Sequence, residues 1–153
     1  TEGGIVSPIV IKPHKPTTTG LINNAYFTVM DLAPTFYELA GTAYPGNTAS
    51  KKIKPLLGKT IVPLLNGESS IHSEEYVTGL EHRGRMFVRK GNWKLVNLQP
   101  PLDNKKLMLF NVAEDLGETK DLSKNNPEKF EELLMDWKDF VKKNEILLHQ
   151  VNQ

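Results

Sequence analysis

The sequence predicts an α+β fold: a four-stranded antiparallel sheet packed on a long C-terminal α-helix, preceded by a strand–helix unit. Three observations predict it. The first is the amphipathic run after Asn126-Pro127, in which Phe130, Leu133, Leu134, Trp137 and Val141 recur at helical spacing. The second is a series of short strand-like segments between Glu75 and Val112, joined by short links. The third is the N-terminal pairing of an apolar β-branched run with a capped helical segment. The resulting organisation is residues 1–45 as a strand–helix unit, 46–74 as a connecting segment and 75–153 as the sheet with its helix.

Ile5-Val6-Ser7-Pro8-Ile9-Val10-Ile11 suits a strand covered on both faces. A short helix is the alternative, and β-branching and Pro8 argue against it. Pro13 to Gly20 reads as a loop. Thr28-Val29-Met30-Asp31 can form a capping box, the Thr hydroxyl taking a free N–H and Asp31 returning to the Thr28 N–H. Leu32, Phe36, Leu39 and Ala40 then line one side of a helix that Gly41 ends. A strand and one helix cannot bury both faces of a sheet, so this unit reads as the tail of a larger layered domain. Residues 43–73 are rich in Pro, Gly, Asn, Ser and Lys, with one apolar knot at Ile61-Val62-Pro63-Leu64-Leu65 that fits a single helical turn.

Strands are expected over Glu75–Leu80, Arg85–Val88, Trp93–Val96 and Leu107–Val112, with a tight turn at Lys90-Gly91-Asn92. One face of this meander should receive the terminal helix. The other carries Arg85, Arg89 and Lys94, expected in solvent. For the helix, Asn126 is expected to accept a first-turn N–H and Pro127 to occupy the first position. Glu128, Glu131 and Glu132 near its start and Lys138, Lys142 and Lys143 toward its end suit the helix dipole.

Composition narrows the chemistry. The chain has 153 residues, 39% apolar and 24% charged, and a formal charge of +1. That balance gives no electrostatic case for nucleic acid or an anionic membrane, and no apolar run approaches a membrane span. Cysteine is absent, which removes disulfides, thiolate ligands and cysteine nucleophiles from this chain. The compartment is left unread. His14, His72, His82 and His149 are scattered without ligand spacing. Glu114, Asp115, Glu118 and Asp121 lack the calcium-loop alternation and fit capping and turn chemistry. Arg83, Arg85, Arg89 and Lys90 form either a solvated sheet face or a site for an anionic ligand. Trp93 and Trp137 suit the core. No phosphate-binding Gly loop and no nucleophile elbow is present.

Five segments, in order, resemble a known family. They are Glu2-Gly3-Gly4-Ile5 with Pro8-Ile9-Val10; Met30-Asp31-Leu32-Ala33-Pro34-Thr35-Phe36 through Ala40-Gly41; Pro63-Leu64-Leu65-Asn66-Gly67; Arg85 through Arg89-Lys90-Gly91-Asn92-Trp93-Lys94; and Leu109-Phe110-Asn111 through Glu118 to Asp121-Leu122. Together they resemble the late part of type I sulfatases, closest to the bacterial arylsulfatases and alkylsulfatases. The resemblance implies that residues 1–45 are the last strand and helix of an α/β, alkaline-phosphatase-like catalytic domain and that 75–153 are the C-terminal subdomain. For the parent it implies sulfate-ester hydrolysis by a formylglycine nucleophile, made from Cys or Ser in Cys/Ser-x-Pro/Ala-x-Arg, with a calcium ion. This chain contains no such motif and none of the family's metal pairs, so no catalytic or metal residue carries over and the chain alone is expected to be inactive. A substrate-entrance rim of His14, Glu81, His82 and Arg83 is the candidate site. The expected partner is the missing N-terminal catalytic part. Without it, an exposed strand edge and apolar patch should favour self-association. Two alternatives are another hydrolase or transferase of the alkaline-phosphatase superfamily and a free-standing binding or assembly module.

Overall fold

A computed structural model describes residues 1–12, 20–46 and 52–148. They form two compact units, one of residues 1–8 with 74–148 and the other of the described residues between 9 and 73.

The first unit contains the four expected strands, β1 (Val77–His82), β2 (Arg85–Lys90), β3 (Trp93–Asn97) and β4 (Met108–Asn111). They form an antiparallel meander in the order β1-β2-β3-β4. Register follows from the alternation of side chains across each strand. Met86 and Val88 point to the side where Leu95 and Leu109 also lie, and the helix α3 (Pro127–Lys143) covers them with Leu133, Leu134 and Trp137. Val88, Leu95, Leu109 and Leu133 are completely buried. Trp137 stacks on Phe140 at a centroid separation of 6.1 Å. Gly79 lets the helix approach: a Cβ there would lie 3.2 Å from the Phe140 ring and 2.8 Å from the Phe87 carbonyl oxygen.

Pro127 begins α3 as expected, but Asn126 does not cap it with its side chain. Its Nδ2 instead donates to the Leu122 carbonyl at 3.4 Å. That carbonyl also accepts the Asn125 and Asn126 N–H groups, so the side chain joins the turn before the helix instead of accepting the first-turn N–H.

The second unit holds α1 (Leu32–Leu39) and the single turn α2 (Val62–Leu65) at the apolar knot. The expected capping box is present, with Thr28 and Asp31 satisfying each other's groups at the head of a 3₁₀ turn that leads into α1. Gly41 follows the helix with φ +64°, a left-handed end that glycine adopts freely. Phe36 and Leu39 on α1 are 66% and 62% exposed.

The strand expected over Ile5–Ile11 is not formed. Its backbone has no partner strand among the described residues, and Ile5, Val6, Ile9, Val10 and Ile11 are all exposed. β propensity alone does not make a strand, because the free energy lies in cross-strand pairing and burial.

Candidate functional site

The β1–β2 hairpin tip places three of the four expected rim residues together. Glu81 and His82 end β1, and Arg83-Gly84 make the turn into Arg85. Arg83 and Gly84 have φ +53° and +78°, the paired positive values that a type I′ hairpin turn requires. Glycine suits the second position. An arginine in the first is held in a region that costs a non-glycine residue about 1–2 kcal/mol. The surroundings hold it there. The Glu81 carboxylate accepts the Gly84 N–H at 2.8 Å, and the fully buried Asn97 amide donates to the Gly84 carbonyl at 2.9 Å. Pro100 closes the underside, leaving a Cβ on Gly84 only 3.0 Å from its own Cβ. His82 stands opposite Arg85 across the pair, so both side chains share one sheet face. The Arg85 Nε donates to the Leu98 carbonyl at 3.1 Å. His14 lies outside the described residues.

Lys94 departs most from expectation. It is 1% exposed, not solvated. Its ammonium pairs with Glu2 and, at 2.6 Å, with Glu118, and it lies 5.1 Å from the centroid of the Phe87 ring. Arg89 Nη1 is 3.8 Å from the other Glu2 oxygen, and the Glu2 N–H donates to Glu118 at 3.1 Å. Two cations meet two carboxylates, so the buried charge balances. Glu118 therefore does more than shape a turn. It sits at φ +54° with its side chain turned into this cluster. Asp115 and Asp121 keep the expected turn role: Asp115 accepts from Thr119 and Lys120, and Asp121 from Leu109 and Ser123. The Lys120 N–H is the largest influence holding Asp115 below its usual value. Lys90 is engaged on the helix side by Glu75 at 2.7 Å and Glu132 at 3.0 Å, which raise it above the usual lysine range.

In the second unit Asp31 is fully buried and saturated. Its Oδ2 accepts from the Thr28 N–H at 2.7 Å and sits 3.0 Å from His72 Nε2; its Oδ1 accepts the Lys59 N–H at 2.7 Å. Burial pushes its carboxyl up, but His72 and the two backbone donors outweigh this and hold it below the ordinary value. Thr35 extends the network, donating to the Asp31 carbonyl and accepting the Ile61 N–H. A recess of about 460 Å³ beside it is lined by Pro34, Lys59, Glu68 and Ser70, among others.

Most donors and acceptors in these contacts are taken up by backbone groups and ion pairs, the buried Asn97 Oδ1 being an exception. Among the described residues no group of three or more His, Asp or Glu side chains could hold a metal ion. Among them, too, no helix is long and apolar enough to cross a membrane. Sequence reasoning missed the Glu2–Lys94–Glu118 cluster. The available signal was Lys94 within Trp93-Lys94-Leu95-Val96, a strand apolar on both sides of it.

The first unit is thus a four-stranded meander carrying a C-terminal helix, with a buttressed hairpin end. The comparisons with known proteins find likeness to sulfatases. No protein-family model matches the chain. It is 29% identical over 138 residues to an uncharacterized sulfatase of Schizosaccharomyces pombe, covering 90% of this chain and 25% of that protein. It is 26% identical over 137 residues to a sulfatase of Formosa agariphila, covering 82% and 24%. The chain thus spans about a quarter of the length of these relatives, and their C-terminal portion is the part that matches. Among solved structures, one in complex with k-i-k-neocarrahexaose has a TM-score of 0.55 at 23% identity, covering 72% of this chain and 23% of that one. One described as a 2-O GAG sulfatase has a TM-score of 0.52 at 23% identity, covering 75% and 24%. The resemblance to sulfatases and the sheet-plus-helix fold are borne out.

Proposed function

We propose that this chain is the C-terminal part of a sulfatase that hydrolyses sulfate esters, and that the reacting groups belong to the rest of that enzyme. The observation that carries this is the pairing of coverages. Nine-tenths of the chain aligns with a sulfatase, yet the alignment spans only a quarter of it. The five motifs in order support the same reading. Calcium and a formylglycine would then be supplied outside this chain, and no step is assigned to its residues through either. The part described would close the catalytic domain. Its hairpin tip, with Glu81, His82 and Arg83, would form part of the substrate entrance. The exposed apolar residues Val10, Phe36 and Leu39 would face that missing body.

The coding sequence upstream of Thr1 tests the reading. A Cys/Ser-x-Pro/Ala-x-Arg motif there is expected. A Thr or Ser nucleophile among zinc ligands would replace it with another alkaline-phosphatase-like enzyme, and a start codon adjacent to Thr1 would replace it with a free-standing module. The isolated chain is expected to leave an aryl sulfate uncleaved. Turnover by the purified 153-residue protein would overturn the division of labour proposed here.

A further inference from the structure

Glu2 is held at three points. Its carboxylate oxygens are engaged separately, one by the Lys94 ammonium and the other by Arg89 Nη1 at 3.8 Å, and its N–H donates to Glu118 at 3.1 Å. The grips come from three places: Arg89 on β2, Lys94 opposite it on β3, and Glu118 in the loop after β4. These groups are themselves fixed. Arg89 Nε donates to the Gly91 carbonyl at 2.9 Å, and Lys94 Nζ lies 2.6 Å from Glu118. The residues that follow Glu2 are not held by packing. A Cβ on Gly3 or Gly4 would meet nothing within 4 Å, and Ile5 and Val6 are exposed. The ion cluster, not apolar contact, therefore sets where this backbone runs. A buried ion pair contributes little to stability beyond a well-packed apolar replacement, and its best-attested use is to select one geometry.

We propose that Lys94, Arg89 and Glu118 form a positioning clasp. Through Glu2 they fix the path of the chain between this subdomain and the catalytic part of the parent enzyme. They are positioning residues, acting on the reaction only through the backbone at Glu2. This rests on the sulfatase reading and deepens it, by naming the contact through which the C-terminal part governs the reacting part. The leverage is geometric: a displacement of about 1 Å, even one caused far from the chemistry, can cost about a hundredfold in rate.

Two substitutions at Glu2 separate reach from charge. Glu2→Asp keeps the charge and shortens the side chain by one methylene. Glu2→Gln keeps the length and removes the charge that balances Lys94 and Arg89. In the full-length parent, kcat and KM for an aryl sulfate are measured beside the Tm of the same preparations. Positioning makes kcat follow reach: Glu2→Asp is expected to lose roughly tenfold in kcat with KM changed less than about twofold, and Glu2→Gln to lose less. Tm should follow charge, falling further in Glu2→Gln than in Glu2→Asp. In the ¹⁵N-labelled 153-residue chain, amide shifts at residues 2–4 should move more in Glu2→Asp than in Glu2→Gln. Losses in kcat that rank with Tm, an unchanged kcat in Glu2→Asp, or shifts at residues 2–4 no larger in Glu2→Asp would each overturn the clasp and leave the sulfatase reading standing. A native parent that cleaves no sulfate ester would overturn that reading, and this inference with it.

Discussion

The two units of the chain solve the problem of stability in different ways. Among the described residues, the sheet–helix unit buries eleven apolar side chains below a tenth exposure, from Met86 to Trp137, whereas the residue 9–73 unit buries two, Ile61 and Leu64. What the second unit buries besides these is polar: Asp31 and Thr35, fully hydrogen-bonded. Its large apolar side chains, Val10, Ile22, Phe36 and Leu39 among them, stand in solvent. Apolar burial is the dominant favourable term in folding, and a hydrogen-bond network mainly avoids a penalty. The first unit thus has a core of its own. The second has its local geometry fixed by Asp31, and its apolar side chains at Val10, Ile22, Phe36 and Leu39 are exposed.

Substitution separates the two most sharply. Trp137→Ala removes a side chain that is 3% exposed from the centre of the cluster and is expected to cost about 3–5 kcal/mol in urea unfolding. Phe36→Ala removes one that is 66% exposed and should change stability by less than about 0.5 kcal/mol. Equal losses at the two positions would mean that Phe36 is buried in solution and would erase the contrast.

The ion cluster is the next test, because it ties residues 1–8 to the sheet. Lys94→Met would remove the ammonium shared by Glu2 and Glu118, at 4% and 1% side-chain exposure, leaving Arg89 beside Glu2 and no side-chain cation on Glu118. Removing one partner of a buried pair costs about 3–5 kcal/mol, chiefly through the charge left behind. Amide exchange should accelerate in residues 2–8 well before the core strands. Unchanged protection there would show that this segment is held by something other than Lys94.

How much of this was legible in the residues follows the same division. The meander and α3 were readable because periods of 2 and 3.6 write burial directly into local sequence, as in Arg85–Lys90 and Phe130–Val141. The capping box at Thr28–Asp31 was readable because both partners lie three residues apart. Lys94 was not, because its carboxylate partner Glu2 lies 92 residues away. A lysine in a strand reads as solvent-facing unless the partner is known. The Ile5–Ile11 run was misread for the complementary reason: its composition suits a strand, but strand formation needs a neighbour. Of the hairpin tip, the position of Glu81, His82 and Arg83 was readable, and the bracing from Asn97 was not.

Acidification probes the polar network of the second unit. Asp31 is held below the 3.8 of an ordinary aspartate. A depressed folded value means that the group's contribution is complete above the unfolded value and is lost as pH falls through the folded one. Amide protection at Lys59 and Ile61, whose N–H groups bond to Asp31 and Thr35, should therefore hold above pH 4 and decline below it. In Asp31→Asn that pH dependence should flatten, with a constant loss of about 1–3 kcal/mol from the disturbed network. A decline beginning above pH 5 would point to a group other than Asp31.

The smallest effect concerns the uncovered surface and tests what the contrast means. Apolar residues left in solvent cost the isolated fold little, so their signature lies in association rather than unfolding. If Val10, Phe36 and Leu39 belong against the rest of a sulfatase, the chain alone should self-associate at high concentration through this surface. Light scattering should show a mass that rises with concentration, and Phe36→Ser with Leu39→Ser should reduce the rise while leaving urea unfolding unchanged. A monodisperse monomer at high concentration would count against the missing body. A mass that rises equally in the double variant would place the association elsewhere, and the apolar face of α1 would then be only a tolerated exposure.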